Sequence, residues 1–131
     1  MEIRLTGSRF TKIECNRSPD FGGEVKIETN LRLDSIEGIK DNKDLLKVLY
    51  SFEINYGDLG KILIEGNVFF KMSPKKVKEI EKSWEKKEFN KEEHIAITNI
   101  ILQKASIKAF ELEEEFGLPL HVQLPRLEPK K

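Results

Sequence analysis

Between Asn90 and Phe116 the sequence puts apolar residues on two sides of one helix, and this limits the possible folds more than any other feature. At about 100° per residue, Ile97, Ile101, Ala105, Ala109, Leu112 and Phe116 fall on one face. Ala96, Ile100, Ile107 and Phe110 form a second face, leaving only the stripe Lys104, Lys108, Glu111 and Glu115 for water. A helix at a protein surface needs one apolar stripe; this one needs two covers. Asn90 is the expected N-cap, with Glu93 completing a reciprocal capping box. Gly117 ends the helix by supplying a left-handed residue, and Pro119 keeps it from resuming. The tail that follows, from Gly117 to Pro125, alternates Leu118, Leu120, Val122 and Leu124 in an extended pattern. Pro119 and Pro125 restrict any strand pairing there to a sheet edge.

Ahead of this helix the period is two. Glu2 to Arg17 reads as a first strand, with Gly7 and Ser8 as a bulge or bend between Ile3/Leu5 and Ile13/Cys15. Ser18 to Gly23 is turn chemistry that strands Phe21 in a Pro/Gly-rich loop, where an aromatic either plugs a core or lines a groove. Val25, Ile27, Thr29, Leu31 and Leu33 then alternate with Lys26, Glu28, Asn30, Arg32 and Asp34, the pattern of a strand with one dry face. Gly38 to Asp44 is expected as a polar turn. A third strand follows over Leu46 to Tyr56 and a fourth over Ile62 to Met72, and the short connections make strands two to four an antiparallel meander. Leu49, Leu63 and Phe69 fall in the solvent phase, where gathering on adjacent strands would make a patch. Ser73-Pro74 opens a short helix carrying the thin stripe Val77, Ile80 and Trp84. No internal repeat is present.

The composition bears on function mainly by exclusion. A formal net charge of +0 argues against a general phosphate-binding surface, so no nucleic-acid partner is expected. The 35% charged fraction, mostly Lys and Glu beside many Ile, fits a thermophile and an ordinary solvated surface equally well. The N-terminus lacks the apolar core of a signal peptide and no run reaches a membrane span, so a soluble cytoplasmic protein is expected. Cys15 is the single cysteine and lies in a strand pattern, which favours a small buried hydrophobe over a nucleophile. His94 and His121 share no metal spacing, and both are expected to be solvated. Glu113, Glu114 and Glu115 fall at a helix end with no apolar pocket evident in the sequence, and no glycine-rich phosphate loop is present. Neither an enzyme nor a cofactor is expected. At 131 residues the chain is one domain, 1–131.

Four strands with one dry face and a helix with two cannot close as a single copy. The sheet covers one helix face, and another subunit must cover the other. Leaving three Ile-sized side chains and a Phe wet would forgo roughly 6–12 kcal/mol, comparable to the net stability of a domain. Ile97, Ile100, Ile101, Ile107 and Phe110 are the candidate interface residues of a symmetric homo-oligomer. The expected fold class is α+β: a four-stranded antiparallel sheet, a short helix and one long helix, with the helices sandwiched between sheets in the assembly.

In this order the segments resemble the SecB family of export chaperones. Phe10-Thr-Lys through Ser18-Pro looks like that family's first strand and crossover loop, and Glu24-Val-Lys-Ile-Glu28 like the start of its second strand. Leu63-Ile-Glu65 resembles a step in its fourth strand, and Gly117-Leu-Pro through Val122-Gln-Leu124 the segment after its long helix. The resemblance implies a homotetramer, a dimer of dimers with helices between two eight-stranded sheets. It also implies grooves that hold unfolded polypeptide without ATP, in the service of protein export. Val25 and Ile27 would line the groove with Leu118, Leu120, Val122 and Leu124 of the tail, and Phe21 in the crossover position. Apolar walls give affinity without demanding a sequence, and exposed backbone takes strand-like hydrogen bonds.

Two departures stand out. No helical pattern follows Pro125 where the family adds a second helix as a groove wall, so a shallower groove, or one completed by another subunit, is expected. The acidic outer face that docks the family's translocation motor is incomplete: Leu63 and Glu65 match, but Ile13 and Arg17 stand where two acidic residues would be expected. The resulting expectation is a holdase for unfolded polypeptides. Its rivals are a SecB-like chaperone dedicated to an antitoxin and a small-molecule-binding α+β oligomer.

Overall fold

The computed structural model describes residues 3–19, 23–87 and 92–122. Its elements are β1 (Arg4–Arg17), β2 (Glu28–Ile39), β3 (Asn42–Asn55), a single 3₁₀ turn at Gly57–Leu59, β4 (Gly60–Lys71), α1 (Pro74–Glu85) and α2 (Glu92–Phe116). The four strands form one antiparallel sheet in the order β1-β4-β3-β2. The expected meander of strands two to four is present, and β1 crosses over to pair with β4. Both helices pack on one face, α1 against β2 and β3, and α2 against β4, β1 and β3. The expected α+β class and element order match this architecture.

The core follows from alternation. Leu46, Val48, Tyr50, Phe52 and Ile54 of β3 and Ile62, Ile64, Val68 and Phe70 of β4 are buried beneath the helices. Each fully buried side chain of this size contributes about 1.5–3 kcal/mol. Gly66 interrupts the β4 row for a steric reason: a Cβ there would lie 2.5 Å from the Arg9 carbonyl oxygen and 2.8 Å from the Tyr50 hydroxyl. The missing side chain makes room for the Tyr50 ring.

Bulges move the strand boundaries away from the sequence expectation. β2 begins at Glu28, later than Val25, and runs to Ile39, so that the turn into β3 is confined to Lys40 and Asp41 within the expected Gly38–Asp44. A register shift between Leu33 and Ser35 inserts Asp34. Beyond it the inward phase passes to Ile36, which is buried, so a count from Leu33 loses the strand. In β1 the irregularity foreseen near Gly7 falls between Leu5 and Gly7, and a second, unforeseen one lies between Phe10 and Lys12. Because of that second shift Phe10 and Ile13 sit opposite Gly66 and Ile64, on the helix side of the sheet. Ile13 is therefore not an outer-face residue, and its comparison with an acidic docking position fails on geometry.

On the outer face Leu49, Leu63 and Phe69 are half-buried. Leu49 pairs with Asn67, one step from Phe69, whose ring lies 5.7 Å beneath the Arg9 guanidinium. Leu63 pairs with Glu53, and the intervening Ser51–Glu65 pair keeps it apart from the other two. The three do not merge into one patch.

Ser73 caps α1 by accepting the Lys76 N–H at 3.2 Å, with Pro74 in the first turn as expected. Asn90, the expected cap of α2, lies outside the described residues. The Glu93 carboxylate takes the Lys76 ammonium at 2.9 Å, tying the start of α2 to α1. His94 is buried and its Nε2 lies 3.1 Å from Ser83 Oγ on α1. The expectation of a solvated His94 is thereby corrected: the α1–α2 packing encloses the first turn of α2.

Candidate functional site

The two walls proposed for a groove meet at one end of the sheet, where β2 begins, β3 ends and α2 terminates. Glu28 pairs with Asn55, so Ile27 stands one step further on, at the level of Tyr56. Val25 and Ile27 are half-buried against the core, as are Leu31 and Leu33 further along the strand. β2 is an edge strand; its outer backbone edge has no strand beside it among the described residues. Such an edge can accept an extended chain by main-chain hydrogen bonding.

The segment after α2 is fixed at this same end. Gly117 adopts φ 68°, the left-handed conformation expected of it, and the Leu118 N–H bonds back to the Glu113 carbonyl at 2.9 Å. Arg17 of β1 reaches the Gly117 carbonyl through Nε at 3.3 Å. Leu118 turns into the core and presents almost no surface, so it is corrected from groove wall to core residue. Leu120 is half-buried and Val122 is exposed. Phe21 and Leu124, the remaining candidates, lie outside the described residues.

The chemistry that holds this segment was missed in the sequence. Glu113 is fully buried, and its carboxylate accepts hydrogen bonds from the Tyr56 hydroxyl and, at 3.0 Å, from the His121 N–H. His121 Nδ1 lies 2.8 Å from the second carboxylate oxygen, and its ring meets Phe52 edge-on with centroids 5.9 Å apart. Burial first, then the hydrogen bond and charge of Glu113, push the Tyr56 phenol far above its ordinary value, so Tyr56 remains a donor. The expectations of a solvated His121 and of an unpocketed Glu113 are both corrected. A signal existed: the row Ile97, Ile101, Ala105, Ala109 advances by four, and the next member is Glu113. A carboxylate continuing a buried row requires partners.

Cys15 is half-buried on β1, and desolvation followed by the nearby charges of Glu113 and Glu115 pushes its thiol up. It is held as a thiol rather than as a nucleophilic thiolate. No cluster of three or more metal-binding side chains occurs among the described residues, and no helix there is long and apolar enough to cross a membrane. A cleft of about 670 Å³ lies by the start of α1 and is lined by Arg4, Asp44, Lys71 and Lys76 among others. Lys71 pairs with Asp44 at 3.7 Å and Lys76 with Glu79 and Glu93. Both lysines of the cleft thus have carboxylate partners.

The candidate interface residues divide between the two faces of α2. Ile97 and Ile101 are completely buried by the chain's own sheet and have no surface to offer a partner, which removes them from the interface set. Ile107 is 63% exposed, Ile95 55% and Leu102 39%, with Ile100 and Phe110 half-buried beside them. The helix thus has one covered and one open apolar face. Phe10 and Ile13 of β1 are also open.

No family model matches the sequence, and no curated protein matches it. The fold is similar to that of a SecB-like chaperone from Mycobacterium tuberculosis, solved in complex with a ChAD peptide from an antitoxin. The TM-score is 0.57 at 10% sequence identity, covering 96% of this chain and 88% of the other. With its four-stranded antiparallel sheet followed by a short and a long helix, the chain has a SecB-like fold.

Proposed function

We propose that this protein is an ATP-independent holdase that binds non-native polypeptide along the β2 edge. The observation that carries the reading is the half-buried apolar row of Val25 and Ile27, just ahead of β2, and Leu31 and Leu33 on β2, whose outer edge has no strand beside it among the described residues, with the exposed Val122 at the same end. An extended client would add main-chain hydrogen bonds to β2 and rest its side chains on this row. Affinity would then depend little on sequence. The SecB-like fold supports the reading, as does the peptide bound to the structural neighbour.

The open face of α2 is proposed as the contact through which copies assemble, in the homotetramer that the SecB resemblance implies. The protein is proposed to act in the cytoplasm, without a cofactor and without catalysis. A translocation motor is not assigned as a partner. The antitoxin origin of the neighbour's peptide favours one second reading, a chaperone dedicated to a single antitoxin. Such a protein would bind one antitoxin segment at least a hundredfold more tightly than unfolded chains in general.

Anisotropy with fluorescently labelled, reduced and carboxymethylated α-lactalbumin, a permanently unfolded chain, tests the groove. Ile27→Asp and Val122→Asp should each weaken binding at least fivefold while the particle mass stays that of the wild type. Unaltered binding by both variants contradicts this groove. A fall in mass would show that these positions hold the assembly instead.

A further inference from the structure

A buried carboxylate at the end of a helix has to be doing something specific, because its desolvation is costly and an apolar residue would fill the same space more cheaply. Among the described residues, the hydrogen bonds of the Glu113 carboxylate all go outside α2. Its oxygens reach outward to Tyr56, just beyond β3, and to His121, eight residues on in the extended segment. All these contacts connect the sheet, the helix and the segment beyond Gly117. We infer that Glu113, together with Tyr56 and His121, is a positioning group of the polypeptide site, fixing the segment 117–122 as one wall of the groove. The inference rests on the proposed function for its consequence and on geometry for its mechanism.

The geometry is specific about how the clasp works. The Tyr56 hydroxyl and the His121 main-chain N–H donate to one carboxylate oxygen, and His121 Nδ1 lies within hydrogen-bond distance of the other. His121 Nε2 is left buried without a partner among the described residues. The carboxylate holds the ring in one orientation, edge-on to Phe52. Phe52 pairs with Leu31 of the edge strand, so the placement of His121 is referred directly to the proposed client row. Arg17, on β1, fixes the other end of the segment through the Gly117 carbonyl. With both ends held, Leu118 is set into the core and Val122 is left exposed. Release of Glu113 would leave the segment tethered only near Gly117, and the wall would lose its position although the sheet remains.

Amide hydrogen exchange and probe binding on the full chain test this together. Glu113→Gln and Tyr56→Phe should each speed exchange at the Leu118 and His121 amides at least tenfold, with amides inside β3 and β4 unchanged. Both should weaken the labelled carboxymethylated α-lactalbumin at least fivefold. Because Glu113 acts through His121, adding Glu113→Gln to His121→Phe should weaken the probe less than twofold further; a role in general stability would instead give additive losses. Unchanged exchange at these two amides in both variants overturns the inference, as does loss of protection throughout β3 and β4. A released segment with probe affinity within twofold of wild type overturns the positioning role while leaving the β2 groove intact. A wild-type chain that does not bind the probe overturns the proposed function and this role with it, even if the exchange data show the clasp.

Discussion

Ile101→Asp should unfold the protein, with a loss on the order of 5 kcal/mol in urea-unfolding free energy. Ile101 is completely buried, centred in the row by which α2 lies on the sheet. The substitution removes about 1.5–3 kcal/mol of apolar burial. It also places a carboxylate inside the hydrophobic core cluster, so the group must take up a proton or drag the helix toward water. Against a typical domain stability of about 5–15 kcal/mol, that loss leaves little or no folded population. The check is a urea titration followed by circular dichroism. A midpoint close to that of the wild type would mean that the helix face is assigned wrongly.

Six residues along, the same substitution should have a different outcome. Ile107 is 63% exposed on the opposite face, so Ile107→Asp buries no charge in the isolated chain and should leave its secondary structure intact. Its expected effect is on assembly. A carboxylate in the centre of the open apolar face would be desolvated on contact with a second copy, at a cost of several kcal/mol per subunit. The particle mass by light scattering should drop to that of a single chain or a smaller assembly. A mass equal to that of the wild type would show that the open face is not the contact between copies. Side by side, the two variants separate the two covers that the helix needs.

The contrast between these residues was partly legible in the sequence. Periodicity identified both faces of α2, because 100° per residue is a property of any helix and needs no tertiary information. It does not say which face the chain's own sheet takes, and only burial separates Ile97 and Ile101, inside, from the other candidate interface residues. Strand identity was legible for the same reason, since β3 and β4 keep an unbroken period of two. Where β2 slips at Asp34 and β1 at Thr11, the alternation changes phase, and the boundaries and the facing of Ile13 went with it. A bulge is a backbone event that the side-chain pattern records only as noise.

The least legible part was the clasp. Tyr56 stands 57 residues from Glu113 and reads as one more apolar member of the third strand, while Glu113 and His121 each have a common solvated reading when taken alone. Only the crossing of three elements at one end of the sheet brings them within hydrogen-bond reach. Leu118 was misassigned for a related reason. Alternation in the tail identifies a dry side but does not tell a core from a groove, and the Gly117 turn points Leu118 inward while Val122 stays exposed.

The central claim is that the β2 edge and the adjoining segment receive non-native polypeptide. The most direct measurement is light scattering from a chemically unfolded, aggregating client diluted into buffer with and without the wild-type protein, in the absence of ATP. A holdase should suppress the rise in scattering in proportion to its concentration, reaching near-complete suppression at a small molar excess of the assembled protein. An undiminished rise at a tenfold molar excess would contradict the claim.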